Sequence, residues 1–267
     1  NISEFIDKSD AVRWNCLAFP LSPTGETGDD IPALQAAVVS KIRSLRNEIG
    51  KYRTAVVANL ATGLAGDFDG ILNVTNTVGW GAVDSGDYVD VTLAQVVAWV
   101  AGADAGASNT QSNTYLTYRG ATRIIGEKDY DASVAASKRG EFFFTYSEAG
   151  EVVVQHDINC LTDFSRPNDE TYRKNRVRRV HDTFRESLKL NFPPNKFDNS
   201  EEGWDIMEGI GRSILLAFEN AGAITNVNLN ADFLVDRSKS TGDQTFFDIG
   251  LQAVDSSEKL FFTVRTR

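Results

Sequence analysis

The chain has 267 residues, 42% hydrophobic and 24% charged, the balance of an ordinary globular protein with one large or two average domains. A chain this long can bury a core without disulfides or metals, so wholesale disorder, a collagen-like repeat and a disulfide scaffold are excluded. Thirty-seven acidic against 27 basic residues leave a formal charge of −10, which repels phosphate backbones and argues against general nucleic-acid binding.

No apolar run approaches the ~18 residues of a membrane span. The opening Asn1-Ile2-Ser3-Glu4 has neither an initiator Met nor the basic-then-apolar layout of a signal peptide, so the chain is expected to be a soluble, trimmed piece of something longer. Cys16 and Cys160 lie far apart in apolar contexts and read as small buried hydrophobes.

In chain order, Val12–Phe19 is an apolar stretch ended by Pro20, a strand. After a turn-rich loop at 22–28, Asp29 or Asp30 caps a helix with Pro32 in its first turn and Gly50 at its end. Its Ile31, Leu34, Val38, Ile42, Leu45 and Ile49 form one apolar stripe. Thr54–Ala58 follows as a buried strand, and strand, helix, strand in this order predicts a right-handed crossover in a parallel sheet. Ile71–Val74 is a further strand. A helix from about Leu93 is expected to break up in the small-residue run Ala101–Ala107, where small side chains suggest close packing on another backbone. Then come Ala121–Ile125, a short helix near Asp131–Lys138, and a hairpin of Glu141–Tyr146 with Val152–His156.

The pattern changes after Cys160. One long helix is predicted from Asn168 or Asp169 to Leu190, closed by Pro193-Pro194, and a second from Glu201 to Asn220. Strand-like segments at Leu229–Val235, Thr245–Val254 and Lys259–Thr266 finish the chain. The fold class expected is an α/β domain with a mostly parallel sheet over 1–160 and a smaller α+β domain over 161–267.

The residues give little support to catalysis. Two histidines occur, in His156-Asp157 and His181-Asp182, too few for a His-Asp metal site, and they read as structural. Composition allows a Ser/His/Asp triad, but no Gly-x-Ser-x-Gly elbow is present. The Gly- and Asp-rich loop Gly63–Gly70 lacks calcium-loop spacing, and no phosphate-cradling motif occurs.

Charge is more informative. Between Asp169 and Lys189 seven bases, including Arg173, Lys174, Arg176, Arg178 and Arg179, face four acids. Asp198, Glu201, Glu202, Asp205 and Glu208 then form an acidic block without a base. Such blocks suit contacts between copies or with an acidic partner, or they pair within one chain. The closing Leu260-Phe261-Phe262-Thr263-Val264 is a strong strand former that either completes its own sheet or adds to a neighbour's.

The order of motifs resembles the contractile tail sheath family of phages and phage-tail-like bacteriocins. The stretches that carry the likeness are Ala98–Ala107, Ser112–Tyr115, Tyr118–Ala121, Gln155–Thr162, Lys174–Val180 and Val254–Phe261. The resemblance implies a subtilisin-like α/β domain without protease activity, then a smaller C-terminal domain. It implies six-subunit rings stacked into a helical sheath around a tail tube protein on a baseplate, with terminal arms pairing on a neighbour and contraction driving the tube through a target envelope. The particle would be a virion tail or an extracellular phage-tail-like body assembled in the host bacterial cytoplasm. No catalytic residue, cofactor or metal ligand is implied. Leu260 to Val264 become the inter-subunit strand, and Arg173, Lys174, Arg176, Arg178 and Arg179 tube or subunit contacts. The family's N-terminal arm has no counterpart before Asn1, Cys160 stands where relatives tend to have Thr, and 192–242 matches loosely. The competing readings are a serine hydrolase on the same scaffold and a monomeric adhesin or structural domain whose last strand stays in its own sheet.

Overall fold

A computed structural model describes Glu4, Lys8, Ser9 and residues 12–23, 30–61, 68–81, 88–165 and 169–265. Most of the loops expected at 22–28 and 63–70, together with Asp29, Asn168 and Thr266, lie outside the described residues. The chain divides into two compact units, Asn1–Ala107 with Ser112–Asn175, and Ser108–Gln111 with Arg176–Arg267.

The first unit is built on a parallel sheet of β1 (Cys16–Phe19), β2 (Thr54–Ala58), β3 (Ile71–Val74) and β7 (Glu141–Phe142), in the order β1-β2-β3-β7. Side chains alternate across a strand, so β2 sends Ala55 and Val57 to one face and Val56 and Ala58 to the other. Helix α1 (Ile31–Asn47) covers the first face with Val38, Val39 and Ile42. Helix α2 (Leu93–Gly106) covers the second with Val96, Val97 and Val100. Burial on both faces is why β2 is a continuous apolar run.

Asp30 caps α1 by accepting the Ala33 N–H at 3.2 Å, and Pro32 lies in the first turn. The helix ends before Ile49, which is exposed rather than part of the stripe. Two polar residues share the buried face. Gln35 donates to the Ala58 carbonyl at 2.8 Å and accepts the Ala61 N–H at 3.0 Å, while Arg46 pairs with Asp69 at 2.9 Å. Helix α2 opens on a Thr92–Gln95 capping box and continues through the small-residue run to Gly106. A β-carbon at Gly102 or Gly106 would meet nothing within 4 Å, so among the described residues the close packing expected there is not made at these glycines.

A second sheet, in the order β5-β4-β6, is antiparallel: β4 (Thr77–Trp80), β5 (Val89–Asp90) and β6 (Arg123–Ile125). Helix α3 (Tyr130–Lys138) leads into β7. The expected long first strand of the hairpin is divided. Glu141 and Phe142 join the parallel sheet, and β8 (Phe144–Tyr146) pairs antiparallel with β9 (Val152–Val154). The single long helix expected from 168 is likewise divided into α4 (Asp169–Tyr172) and α5 (Asn175–Asn191). Lys174 is drawn into a bridge with Ile158, and the Asn175 N–H donates to the Asp157 carbonyl at 3.0 Å instead of continuing a helix.

In the second unit α6 (Glu201–Asn220), capped by Ser200, packs Ile214, Leu215 and Phe218 against Val180 and Phe184 of α5 and Phe233. Phe184 and Phe218 meet edge to face at 5.3 Å. Strands β10 (Phe233–Val235) and β11 (Phe247–Ile249) form an antiparallel pair, shorter than the segments predicted for them. The third expected strand is absent: 259–265 form no strand among the described residues.

Candidate functional site

The closing segment is the most unusual surface of the second unit. The Val254 N–H donates to the Ala223 carbonyl at 2.9 Å, and Ser256 Oγ accepts from Arg176. Beyond these Leu260, Phe261, Phe262, Thr263 and Val264 are exposed, with Phe261 at 92%, Phe262 at 83% and Val264 at 91%. Burying such side chains is favourable by roughly 1.5–3 kcal/mol each, and their β-branched and aromatic character favours an extended, strand-like partner geometry. The β10–β11 pair is a two-stranded sheet among the described residues, with Phe246 and Phe247 exposed beside and on β11. A sheet this narrow is marginal alone and has edges able to accept another strand.

The basic block separates into two kinds of residue. Arg178 and Arg179 are buried: Arg178 Nη1 lies 3.4 Å from Asp182 Oδ2, and Arg179 Nη2 donates to the Gln111 carbonyl at 2.7 Å. Arg173, Lys174 and Arg176 are only partly buried. Arg176 Nη1 donates to Ser256 Oγ at 2.9 Å. The Arg173 guanidinium carbon stands 5.7 Å from the centre of the Phe164 ring, and its Nε and Nη2 are buried without a hydrogen-bond partner. Burial lowers its pKa, opposed by the nearby Glu170 carboxylate. Of the five residues expected at a contact, Arg178 and Arg179 direct their side chains into their own chain. Arg173, Lys174 and Arg176 keep part of their surface accessible.

The acidic block is partly neutralised at home. Arg237 bridges Glu201 and Asp205, with its Nη2 at 2.7 Å from Asp205 Oδ1 and 3.7 Å from Glu208 Oε1. The bond to Asp205 leads the causes that raise the Arg237 pKa. Glu208 is buried, accepts the Val235 N–H at 3.0 Å and the Arg212 guanidinium at 2.9 Å, and so ties α6 to β10. Sequence reasoning left open whether these acids pair within the chain, because Arg237 lies some 30 residues beyond them and no local pattern links the two.

Cys160 is buried, and burial followed by the Glu141 charge pushes its thiol up to about 12, so it is an inert core residue. Among the described residues no group of three or more His, Cys, Asp or Glu is placed to hold a metal ion, and no helix is long and apolar enough to cross a membrane.

Residues 1–160 match the family of the phage tail sheath protein central domain, and residues 167–267 that of the phage tail sheath C-terminal domain. The chain is 29% identical over 272 residues to the phage-like element PBSX protein XkdK of Bacillus subtilis (strain 168), covering 98% of this chain and 55% of that protein. Its fold matches the crystal structure of the sheath tail protein Lin1278 from Listeria innocua with a TM-score of 0.78 at 30% identity, over 98% of this chain and 58% of that one. At 14% identity and a TM-score of 0.70, it also shares its fold with the helical sheath of the anti-feeding prophage in the contracted state, covering 100% of this chain and 74% of that one. The chain thus spans little more than half the length of the first two.

Proposed function

Because the chain belongs to the phage tail sheath family, we propose that it is a structural subunit of a contractile sheath, which polymerises around a rigid tail tube and shortens to drive it through a target envelope. The observation that carries this reading is the closing segment, four large apolar side chains in five residues turned to solvent. Residues 260 to 264 are the lent strand, and the narrow β10–β11 sheet of a neighbouring copy is the receiving edge. Head-to-tail contacts whose rotation does not close give a helical polymer.

The physical logic is mechanical. Each main-chain hydrogen bond of such a link is worth about 1 kcal/mol net, and each buried apolar side chain roughly 1.5–3 kcal/mol. A strand link survives while the globular bodies it joins shift, so many small changes at their charged surfaces can release energy together. Arg173, Lys174 and Arg176 are the basic contacts on this reading, towards the tube or an adjacent subunit. The first domain, 1–160, adopts a subtilisin-like topology used as scaffold and not for catalysis, a reading supported by the all-parallel order β1-β2-β3-β7 with helices on both faces. Residues 161–267 are the assembly domain. The subunit works in a phage tail or an extracellular phage-tail-like particle, with tube and baseplate as its other partners.

Electron microscopy of the full-length product tests this. Long hollow tubes are expected from the parent sequence, and dispersed particles from a Phe262→Asp/Val264→Asp variant. Reversing Arg173, Lys174 and Arg176 to Glu should also block assembly. Dispersed parent protein sinks the sheath reading; tubes from the tail variant sink the strand link alone.

A further inference from the structure

The chain passes between its two units at three places: after Ala107, before Ser112 and after Asn175. Buried Asp157 is tied to the chain at or beside the last two. Its Oδ2 accepts the backbone N–H of Asn113 at 2.9 Å, its Oδ1 accepts the Asn175 side-chain amide at 2.8 Å, and its carbonyl accepts the Asn175 N–H at 3.0 Å. Asn113 extends the network to the remaining crossing. Its Nδ2 donates at 3.3 Å to the Ala103 carbonyl, which also takes the N–H of Ala107, the residue that caps α2. The Asp157 N–H donates to Thr114 Oγ1 at 2.9 Å, next to Asn113. All of these groups belong to the first unit.

Asn113, Asp157 and Asn175 are all buried, and a carboxylate at that depth is tolerated where donors converge on it. The side-chain carbonyls of the two asparagines are buried without a partner. Each asparagine is therefore oriented by what its N–H groups reach, and turning the Asn175 amide over would set its oxygen against the carboxylate. We propose that Asp157 is a positioning residue: it anchors within the first unit the backbone at Asn113 and at Asn175, beside two of the points at which the chain leaves that unit. The proposal goes beyond the sheath reading and stands whether or not the chain polymerises.

Amide hydrogen exchange on the unassembled chain tests it. Asp157→Asn keeps the shape and removes the charge. The amides of Asn113 and Asn175 are expected to exchange about tenfold faster or more, while those of Val56 and Val57 in β2 keep their rates. Unchanged rates at 113 and 175 overturn the proposal. Equal acceleration in β2 also overturns it, since that marks a general stabiliser and not a local anchor. The swapped pair Asp157→Asn/Asn175→Asp restores one donor–acceptor contact and should return residue 175, but not Asn113, towards its parent rate; no return counts against the anchor. Should Asp157→Asn not fold, Asn175→Ala removes the side-chain bond alone and must still accelerate exchange at 175 selectively. If it does not, the anchor is refuted.

Discussion

The ring of Phe233 lies against the bare α-carbon of Gly211, where a β-carbon would collide with three ring carbons. This contact lets β10 settle on α6, and it makes two of that helix's three glycines, Gly209 and Gly211, opposite in effect. Gly211→Ala forces the ring or the helix to shift, at about 1–3 kcal/mol, which exceeds the ~1 kcal/mol gained from alanine's helix propensity. Gly209→Ala meets nothing within 4 Å and should stabilise by up to about 1 kcal/mol. Urea unfolding of the two variants should move the midpoint in opposite directions.

Cys160 should resist alkylation in the folded chain at pH 8 and react once the chain is unfolded. Its thiol is raised from an ordinary 9.0 to about 12, so the folded state holds the proton more tightly than the unfolded one. Its contribution to stability is intact below about pH 9 and declines as pH rises towards 12. Replacing it by Ala should remove that part of the alkaline loss of stability, measured as the pH dependence of the thermal midpoint.

The parts of the fold that were legible are those whose signal is local. β2 (Thr54–Ala58), β3 (Ile71–Val74) and α6 (Glu201–Asn220) lie at the residues the apolar runs and caps marked. The misread parts depend on partners distant in sequence. Phe142, Phe143 and Phe144 are alike in hydropathy, yet the backbone bends among them to serve two sheets. The helix break at Asn175 requires Asp157, and the pairing of Glu201 and Asp205 requires Arg237. At the far end of α2 the small-residue run suggests a break, yet alanine is the best helix former and the two glycines there face open space, so the helix continues. Of the candidate site, the apolar closing segment was visible from composition; that Arg178 and Arg179 are buried was not, since charge alone does not say which way a guanidinium points.

Asp236 should titrate near 2. Its carboxylate is bonded to Lys239 Nζ at 2.6 Å, the leading cause, and to Ser238 Oγ at 2.6 Å, which together hold it below an ordinary 3.8. The sign follows from the lowered value: the contribution is complete above about pH 4 and is lost as pH falls towards 2. Carboxyl chemical shifts followed by NMR should show the low midpoint, and Lys239→Ala should move it back up. A midpoint unmoved by that substitution would show that the lysine contributes nothing.

The closing segment offers the sharpest separation between the two fates its strand-forming pattern allowed. Were it part of its own unit's sheet, Phe262→Asp would unpair a strand and place a charge in a core, and the isolated chain would melt earlier. With Phe262 exposed, as it is here, the same change should alter the isolated chain's stability by no more than about 0.5 kcal/mol. The cost should surface only between copies, where losing one buried aromatic removes roughly 1.5–3 kcal/mol per link. Thermal melts of the isolated chain, run beside sedimentation of the full-length product, read the two quantities apart. A lowered melting temperature with unchanged assembly would place the segment in its own sheet and end the case for a lent strand.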